Sequence, residues 1–436
     1  MSIPDLEARV EGLSWNIERQ REILRKLERD KSLVQRQLNA ARDPVARLPL
    51  EISSEIFLQC IPPQPVPEAD KAPMFLLNVC NTWTDIALSV PALWSKIWIP
   101  KALESLTAEA LTAGMERWLR RAGTGRLLDI TMERPLDSVV ASLIGHYSSR
   151  LERLDICVCS SSADDNLQNA NIFDVAQLEP RLPFLRTLIF RPSPSHQYRG
   201  EFPVPTVFHL LRAAPELTEL SVSALSVLID PVGKWTAEVV LPNLRRLEYG
   251  YDYFEGAGAL RYLSTPRLEF LSLDSLESPD SDIVSFLQRS SPPLREVIIE
   301  QGAVGTELAA MFSDFLSLLP FVTRLKIGHL DKTGVETVFN TLTQTRPGAL
   351  PSLQTLELFN MGDWSDWSLV SRALSARRAV LRFVNLDHEY HYYAAVPWSL
   401  DAGIRDELCE LLADSEMDIR IRGVQNRGGN VVQLFP

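Results

Sequence analysis

The chain has 436 residues, 45% hydrophobic and 23% charged, an ordinary globular composition with enough apolar material for two or three domains. Its formal net charge of −12 argues against a general nucleic-acid-binding surface, because phosphate contacts need clustered Lys and Arg. Five dispersed cysteines, Cys60, Cys80, Cys157, Cys159 and Cys409, suggest a reducing compartment, and "MSIPDLEARVEGLSW" has no signal-peptide core and no apolar run reaches the ~18–20 residues of a membrane span, so a cytoplasmic or nuclear location is expected.

The first predicted element is a charged helix over residues 5–42. Val10, Ile17, Leu24, Lys31 and Leu38 form one seven-residue series. Leu6, Leu13, Gln20, Leu27 and Val34 form a second, offset by three. These are the a and d positions of a coiled coil of about five heptads. Val10 and Ile17 at a, with Leu6, Leu13 and Leu27 at d, favour a parallel homodimer, while Lys31 and Gln20 weaken the seam and set its register. A single helix packed on its own protein is the alternative. Pro44 ends the helix, since it disfavours helical geometry at Asp43.

Next comes "LPLEISSEIFLQC", Leu48 to Cys60. Its apolar residues Ile52, Ile56 and Phe57 predict a short amphipathic helix. "IPPQPVPEADKAP", Ile61 to Pro73, carries five prolines and predicts an extended, exposed loop. Helical spacing returns at Phe75, Leu76, Val79, Cys80, Trp83, Ile86 and Ala87. Pro91 breaks it, and Trp94 and Trp98 follow. So small a helical unit has little core of its own, and tryptophan is favoured in partner contacts.

The segment from Leu48 to Ile99 resembles an F-box, in the form common in large fungal families. The matching positions are Leu48, Pro49, Ile52, Ile56, Val79, Cys80, Trp83 and the Leu93–Trp94 pair. The proline-rich insert departs from a minimal F-box. The F-box domain is expected over residues 44–100, and the resemblance implies docking of these nine residues to a Skp-type adaptor of a cullin-based ubiquitin ligase. Surplus apolar side chains on a small helical unit are a liability unless a partner covers them. The alternative is a cap on the following domain.

The remaining chain, residues 101–436, has an internal period. "LERLDICVC" (Leu151), "FLRTLIF" (Phe184), "ELTELSV" (Glu216), "NLRRLEY" (Asn243), "RLEFLSL" (Arg267), "PLREVII" (Pro293), "FVTRLKI" (Phe321) and "SLQTLEL" (Ser352) share the form apolar-x-x-apolar-x-apolar. Alternation within each predicts a strand with one buried face. Helical stretches lie between some of them: "TVFHLLRAAP", "DIVSFLQRS", "ELAAMFSDFLSLLP" and "GVETVFNTLTQT". Strand and helix in alternation predict parallel strands with helical crossovers. The repeats resemble leucine-rich repeats, although only the first places a ladder-type residue, Cys159, where others have Leu225, Leu276, Leu330 or Met361. "SEMDIRIRG" predicts a last edge strand, its charges Asp418, Arg420 and Arg422 discouraging edge pairing.

Catalytic chemistry is not expected. "DHEYHYY" holds His388 and His391 on a predicted polar loop, a weak metal spacing. Cys157 and Cys159 have no second cysteine pair to complete a zinc site. "GAGAL" and "RAGTGR" do not follow a strand and open a helix as a phosphate loop does. Trp364 and Trp367 predict a half-buried loop anchor. The expected fold is therefore α/β: a coiled-coil helix, a small helical F-box, and an irregular leucine-rich-repeat-like solenoid. The expected function is a non-catalytic substrate receptor of a Skp–cullin–F-box ligase, without cofactor, metal, nucleic acid or membrane. An F-box scaffold that delivers nothing is the alternative. Substrate contact is expected on outward strand positions Arg153, Asp155, Arg246, Glu248, Ser272, Glu296, Lys326 and Glu357, with Arg246, Glu248, Lys326 and Glu357 the leading candidates.

Overall fold

The computed structural model describes residues 3–135, 138–158, 181–192, 201–222, 226–228, 238–250, 258–275, 282–302, 309–344, 349–361, 366–390, 401–414, 416–425 and 431–435. The chain is mixed α/β and divides into two compact units, Met1–Thr131 and Met132–Pro436. Among the described residues no helix is long and apolar enough to cross a membrane.

The first unit opens with α1 (Ile3–Arg42), a single helix of 40 residues. It stops where Pro44 requires. Its large apolar a and d side chains are all exposed, from 41% at Leu38 to 74% at Ile3. Among the described residues, the hydrogen bonds from α1 to the rest of the unit come from polar side chains of its last turns. Arg36 donates to the Leu77 carbonyl at 3.0 Å and to the Thr84 hydroxyl at 2.7 Å. Asn39 donates to the Val79 carbonyl at 2.8 Å.

Helices α2 (Leu50–Gln59) and α3 (Asn81–Ser89) follow, then the strand β1 (Lys96–Ile99) and helix α4 (Ala108–Arg121). "KIWI" is a strand because Ile97 and Ile99 alternate inward, at 2% and 0% exposed. The proline-rich segment is not exposed throughout, as expected, but is partly built in. Val66 is buried, and the Pro65 carbonyl accepts the Trp98 amide at 2.8 Å. The sequence pattern grouped α4 with the repeats; its contacts lie in the first unit. Thr107 caps it by accepting the Ala110 amide, and Leu111, Met115, Trp118 and Leu119 are buried at helical spacing. Trp118 meets Trp94 edge to face at 5.1 Å and donates to the Lys96 carbonyl. Gly123, just past the helix, has φ 66°, the left-handed conformation that ends helices and that glycine adopts without a Cβ clash. The strand β2 (Leu128–Pro135) carries the chain into the second unit.

In the second unit, α5 (Ser138–His146) precedes β3 (Leu151–Val158), β4 (Thr187–Pro192), β5 (Glu201–Pro203), α6 (Val204–Ala213), β6 (Glu219–Val222), β7 (Ser226–Leu228), β8 (Val239–Val240), β9 (Arg246–Tyr249), β10 (Leu263–Ser264) and β11 (Phe270–Ser275). There follow α7 (Asp282–Ser290), β12 (Glu296–Gln301), α8 (Ala309–Ser317), β13 (Arg324–Gly328), α9 (Lys332–Thr343), β14 (Thr355–Met361), α10 (Trp367–Arg377), β15 (Phe383–Tyr390), α11 (Ala402–Asp414), β16 (Asp418–Gln425) and β17 (Val431–Phe435). Among the described residues the large sheet runs β3-β4-β6-β9-β11-β12-β13-β14-β15-β16 with every pair parallel, and β17 adds on antiparallel. Two short parallel pairs, β5 with β7 and β8 with β10, are separate from it.

Register explains why the eight fragments share one form. Leu154, Leu188, Leu220, Leu247, Leu271, Val297, Leu325, Leu356, Val384 and Ile419 are opposite one another across successive strands. All ten are buried. Two residues on, Ile156, Phe190, Val222, Tyr249, Leu273, Ile299, Ile327, Leu358, Leu386 and Ile421 make a second buried ladder. A one-residue slip at any strand would turn both ladders outward, so the apolar pattern fixes the register.

The four helical stretches read from the sequence appear as α6 to α9. α10, α11 and β15 were not anticipated. The strand β15 includes Asp387–Tyr390, so the start of "DHEYHYY" is strand and not loop. Trp367 is buried at the first turn of α10, not half-buried in a loop. The expected edge strand β16 has neighbours on both sides, β15 and β17. Cys159, Leu225, Leu276, Trp364 and His391 lie outside the described residues.

Candidate functional site

Two surfaces qualify, one in each unit. The first is built on α2. Leu48, Ile52 and Ile56 are four residues apart, so they line one side of this helix and its entry. They are 41%, 51% and 38% exposed. Leu50 is also exposed, at 51%, and was not singled out by the sequence. Pro49 is exposed too. The opposite side of α2 is anchored: Ser53 and Phe57 are buried. Phe57 packs at 5.0 Å from the half-buried Trp83 ring, and the Ser53 hydroxyl donates to the Val45 carbonyl. The Trp83 indole N–H donates to Asp43.

The structure thus divides the nine positions that carry the F-box resemblance. Leu48, Pro49, Ile52 and Ile56 present apolar surface outward. Val79 and Trp83 are half-buried, the Val79 carbonyl being taken by Asn39. Cys80, Leu93 and Trp94 are in the unit's own core, at 0–1% exposed. These three support the surface and do not reach a partner in this arrangement. Trp94 donates its N–H to the Ala87 carbonyl at 2.8 Å and lies under the Arg121 guanidinium. Burial, and secondarily Arg117, lowers the pKa of Arg121 from its ordinary value.

The second surface is the sheet face opposite the two ladders. Its first row is Arg153, Thr187, Glu219, Arg246, Phe270, Glu296, Arg324, Thr355, Phe383 and Asp418; the next is Asp155, Ile189, Ser221, Glu248, Ser272, Ile298, Lys326, Glu357, Asn385 and Arg420. All eight sequence-predicted positions fall in these two rows. Asp155 departs from expectation, since it is buried at 1% exposed. Arg191 at 2.6 Å and Arg153 at 3.4 Å hold its carboxylate.

Most charges here are already paired within the face. Glu248 accepts two hydrogen bonds from Arg246, at 2.6 and 3.0 Å. Glu357 accepts two from Arg324, at 2.9 and 3.1 Å. Asp387 accepts two from Arg422, at 2.8 and 3.0 Å. Cations also lie over aromatic rings from the adjacent strand: Arg246 over Phe270, Lys326 over Phe359 and Arg420 over Phe383. Sequence reading missed Arg324 and the three phenylalanines. They show only once the strands are in register, because each sits beside its partner across a strand boundary. Such a face offers mixed-charge surface with apolar patches, suited to a protein partner.

Among the described residues, no group of three or more His, Cys, Asp or Glu side chains is placed to hold a metal ion. No protein-family model matches this chain, and no curated protein is similar to it in sequence.

Proposed function

We propose that the chain is a non-catalytic substrate receptor of a Skp–cullin–F-box type ubiquitin ligase, acting in the cytoplasm or nucleus. The observation that carries this reading is the outward apolar line Leu48, Ile52 and Ile56 on a helix whose other side is locked by Phe57. Apolar side chains displayed from a braced helix are what a groove-forming partner takes up. The F-box resemblance names that partner as a Skp-type adaptor. Support for the substrate side comes from the second unit. Its register positions recur every 24 residues from Arg246 to Phe270 and every 35 from Phe383 to Asp418, in keeping with an irregular leucine-rich-repeat-like solenoid. On this reading Arg246, Glu248, Lys326 and Glu357 contact a protein substrate.

Affinity purification of three forms tests it. The full chain should bring down the adaptor and further proteins. Ile52→Asp with Ile56→Asp should lose the adaptor and keep the others. Charge reversal at Arg246, Glu248 and Lys326 should do the opposite. Retention of the adaptor by the first variant would remove the F-box reading. Unchanged partners in the second would move recognition away from the sheet face. The scaffold alternative predicts that bound partners do not accumulate when the chain is deleted.

A further inference from the structure

Helix α1 leaves a seam that its own protein does not use. Every apolar a and d residue from Leu6 to Leu38 is exposed. The side chains that fasten the helix to the first unit, Arg36 and Asn39, occupy the f and b positions of the heptad, on the opposite side. Self-packing and the heptad stripe therefore do not compete. The helix is held by its polar back with its apolar front outward.

We infer that this front is a homodimer interface, occupied by a second copy of the chain in parallel and in register. Three observations select that occupant. The first is size. From Ile3 to Arg42 there are six a, six d, six e and five g positions, twenty-three in all. A standard-sized protein interface uses ~20–30 residues a side, and the helix is about 60 Å long. The second is the choice of core residues. Val10 and Ile17 at a, with Leu6, Leu13 and Leu27 at d, is the arrangement that favours two parallel strands. The third is charge. In a parallel pair each g residue faces the e residue five positions on in its partner: Arg9 and Ser14, Asn16 and Arg21, Ile23 and Glu28, Asp30 and Gln35, Gln37 and Arg42. No like charges meet, so nothing on the flanks opposes this register. Gln20 then faces Gln20 and can hydrogen-bond across the seam. Lys31 facing Lys31 is the less favourable of the two polar layers, a device that lowers stability and fixes strand number. This inference is independent of the adaptor reading. It would place two copies of each docking surface in one assembly and raise avidity for repeated partners.

The test is the mass of the full chain in solution, by sedimentation from 1 to 100 µM. The wild type should reach twice the 49.1 kDa of one chain. Leu13→Glu with Leu27→Glu should be monomeric over the whole range with an unchanged near-ultraviolet spectrum, since both residues are exposed in the single chain. Lys31→Leu should tighten the dimer at least tenfold. Gln20→Cys should cross-link to a covalent dimer under mild oxidation while the wild type does not. A wild type that stays monomeric at 100 µM, or a dimer indifferent to the double substitution, overturns the proposal. Failure of Gln20→Cys to cross-link within an otherwise normal dimer overturns the parallel arrangement.

Discussion

Trp94 and Ile52 are both among the positions that carry the F-box resemblance, but the structure gives them opposite energetics. Trp94 is 0% exposed. Trp94→Ala removes a whole indole, at about 3–5 kcal/mol for comparable truncations. It also leaves the Ala87 carbonyl without its donor, about 1 kcal/mol, and deletes the edge contact with Trp118, about 0.5–1.5 kcal/mol. These overlap, so about 5 kcal/mol is a fair sum, comparable with the whole stability of many domains. Ile52→Ala with Ile56→Ala, by contrast, truncates side chains that are 51% and 38% exposed. The expected loss of stability is within ~1 kcal/mol, although adaptor affinity should fall by ~10–100-fold if these are central contacts. Urea unfolding of the full chain followed by tryptophan fluorescence measures the first quantity. With a slope of about 2 kcal/mol per molar, Trp94→Ala should move the first unit's midpoint down by about 2–3 M or abolish its transition. The double alanine variant should move the midpoint by no more than about 0.5 M. A Trp94→Ala chain that unfolds at the wild-type midpoint would refute the assignment of Trp94 to the core, and with it the division of the nine residues.

Two smaller predictions concern the second unit. A Cβ at Gly328 would fall on the Phe359 ring and on the Glu300 carbonyl oxygen; Gly328→Ala should lower stability by about 1–3 kcal/mol and disturb the Phe359–Lys326 contact, read as a change in Phe359 ring shifts by NMR. At the start of α10, the Ser368 hydroxyl, followed by backbone amides and Arg372, holds the Asp366 carboxyl below its usual pKa against the opposing effect of burial. A lowered folded pKa stabilises above the unfolded value of about 3.9 and is lost as pH falls through the folded one. Ser368→Ala should therefore raise the Asp366 pKa, seen by carboxyl NMR titration, and make α10 fray at a higher pH on acidification.

Local pattern was legible wherever one element decides its own burial. The heptads of α1, its stop at Pro44, the helices α7 to α9 and the strand fragments all announced themselves, because period 3.5, 3.6 or 2 is written into neighbouring residues. The short helix carrying Ile52, Ile56 and Phe57 was equally readable, but not which of the three face outward. Tertiary structure decided what needed a second element. The sequence could not tell that Cys80, Leu93 and Trp94 turn inward while Ile52 turns outward, since all are apolar and only tertiary packing, such as Trp118 of α4 against Trp94, separates them. It could not place α4 with the first unit, because amphipathicity names a buried face but not what covers it. Nor could it pair Arg324 with Glu357 or lay Lys326 over Phe359, which lie 33 residues apart in chain and adjacent in space. Those contacts exist only when ten strands share one register, and the register is set by the buried ladders on the other face of the sheet.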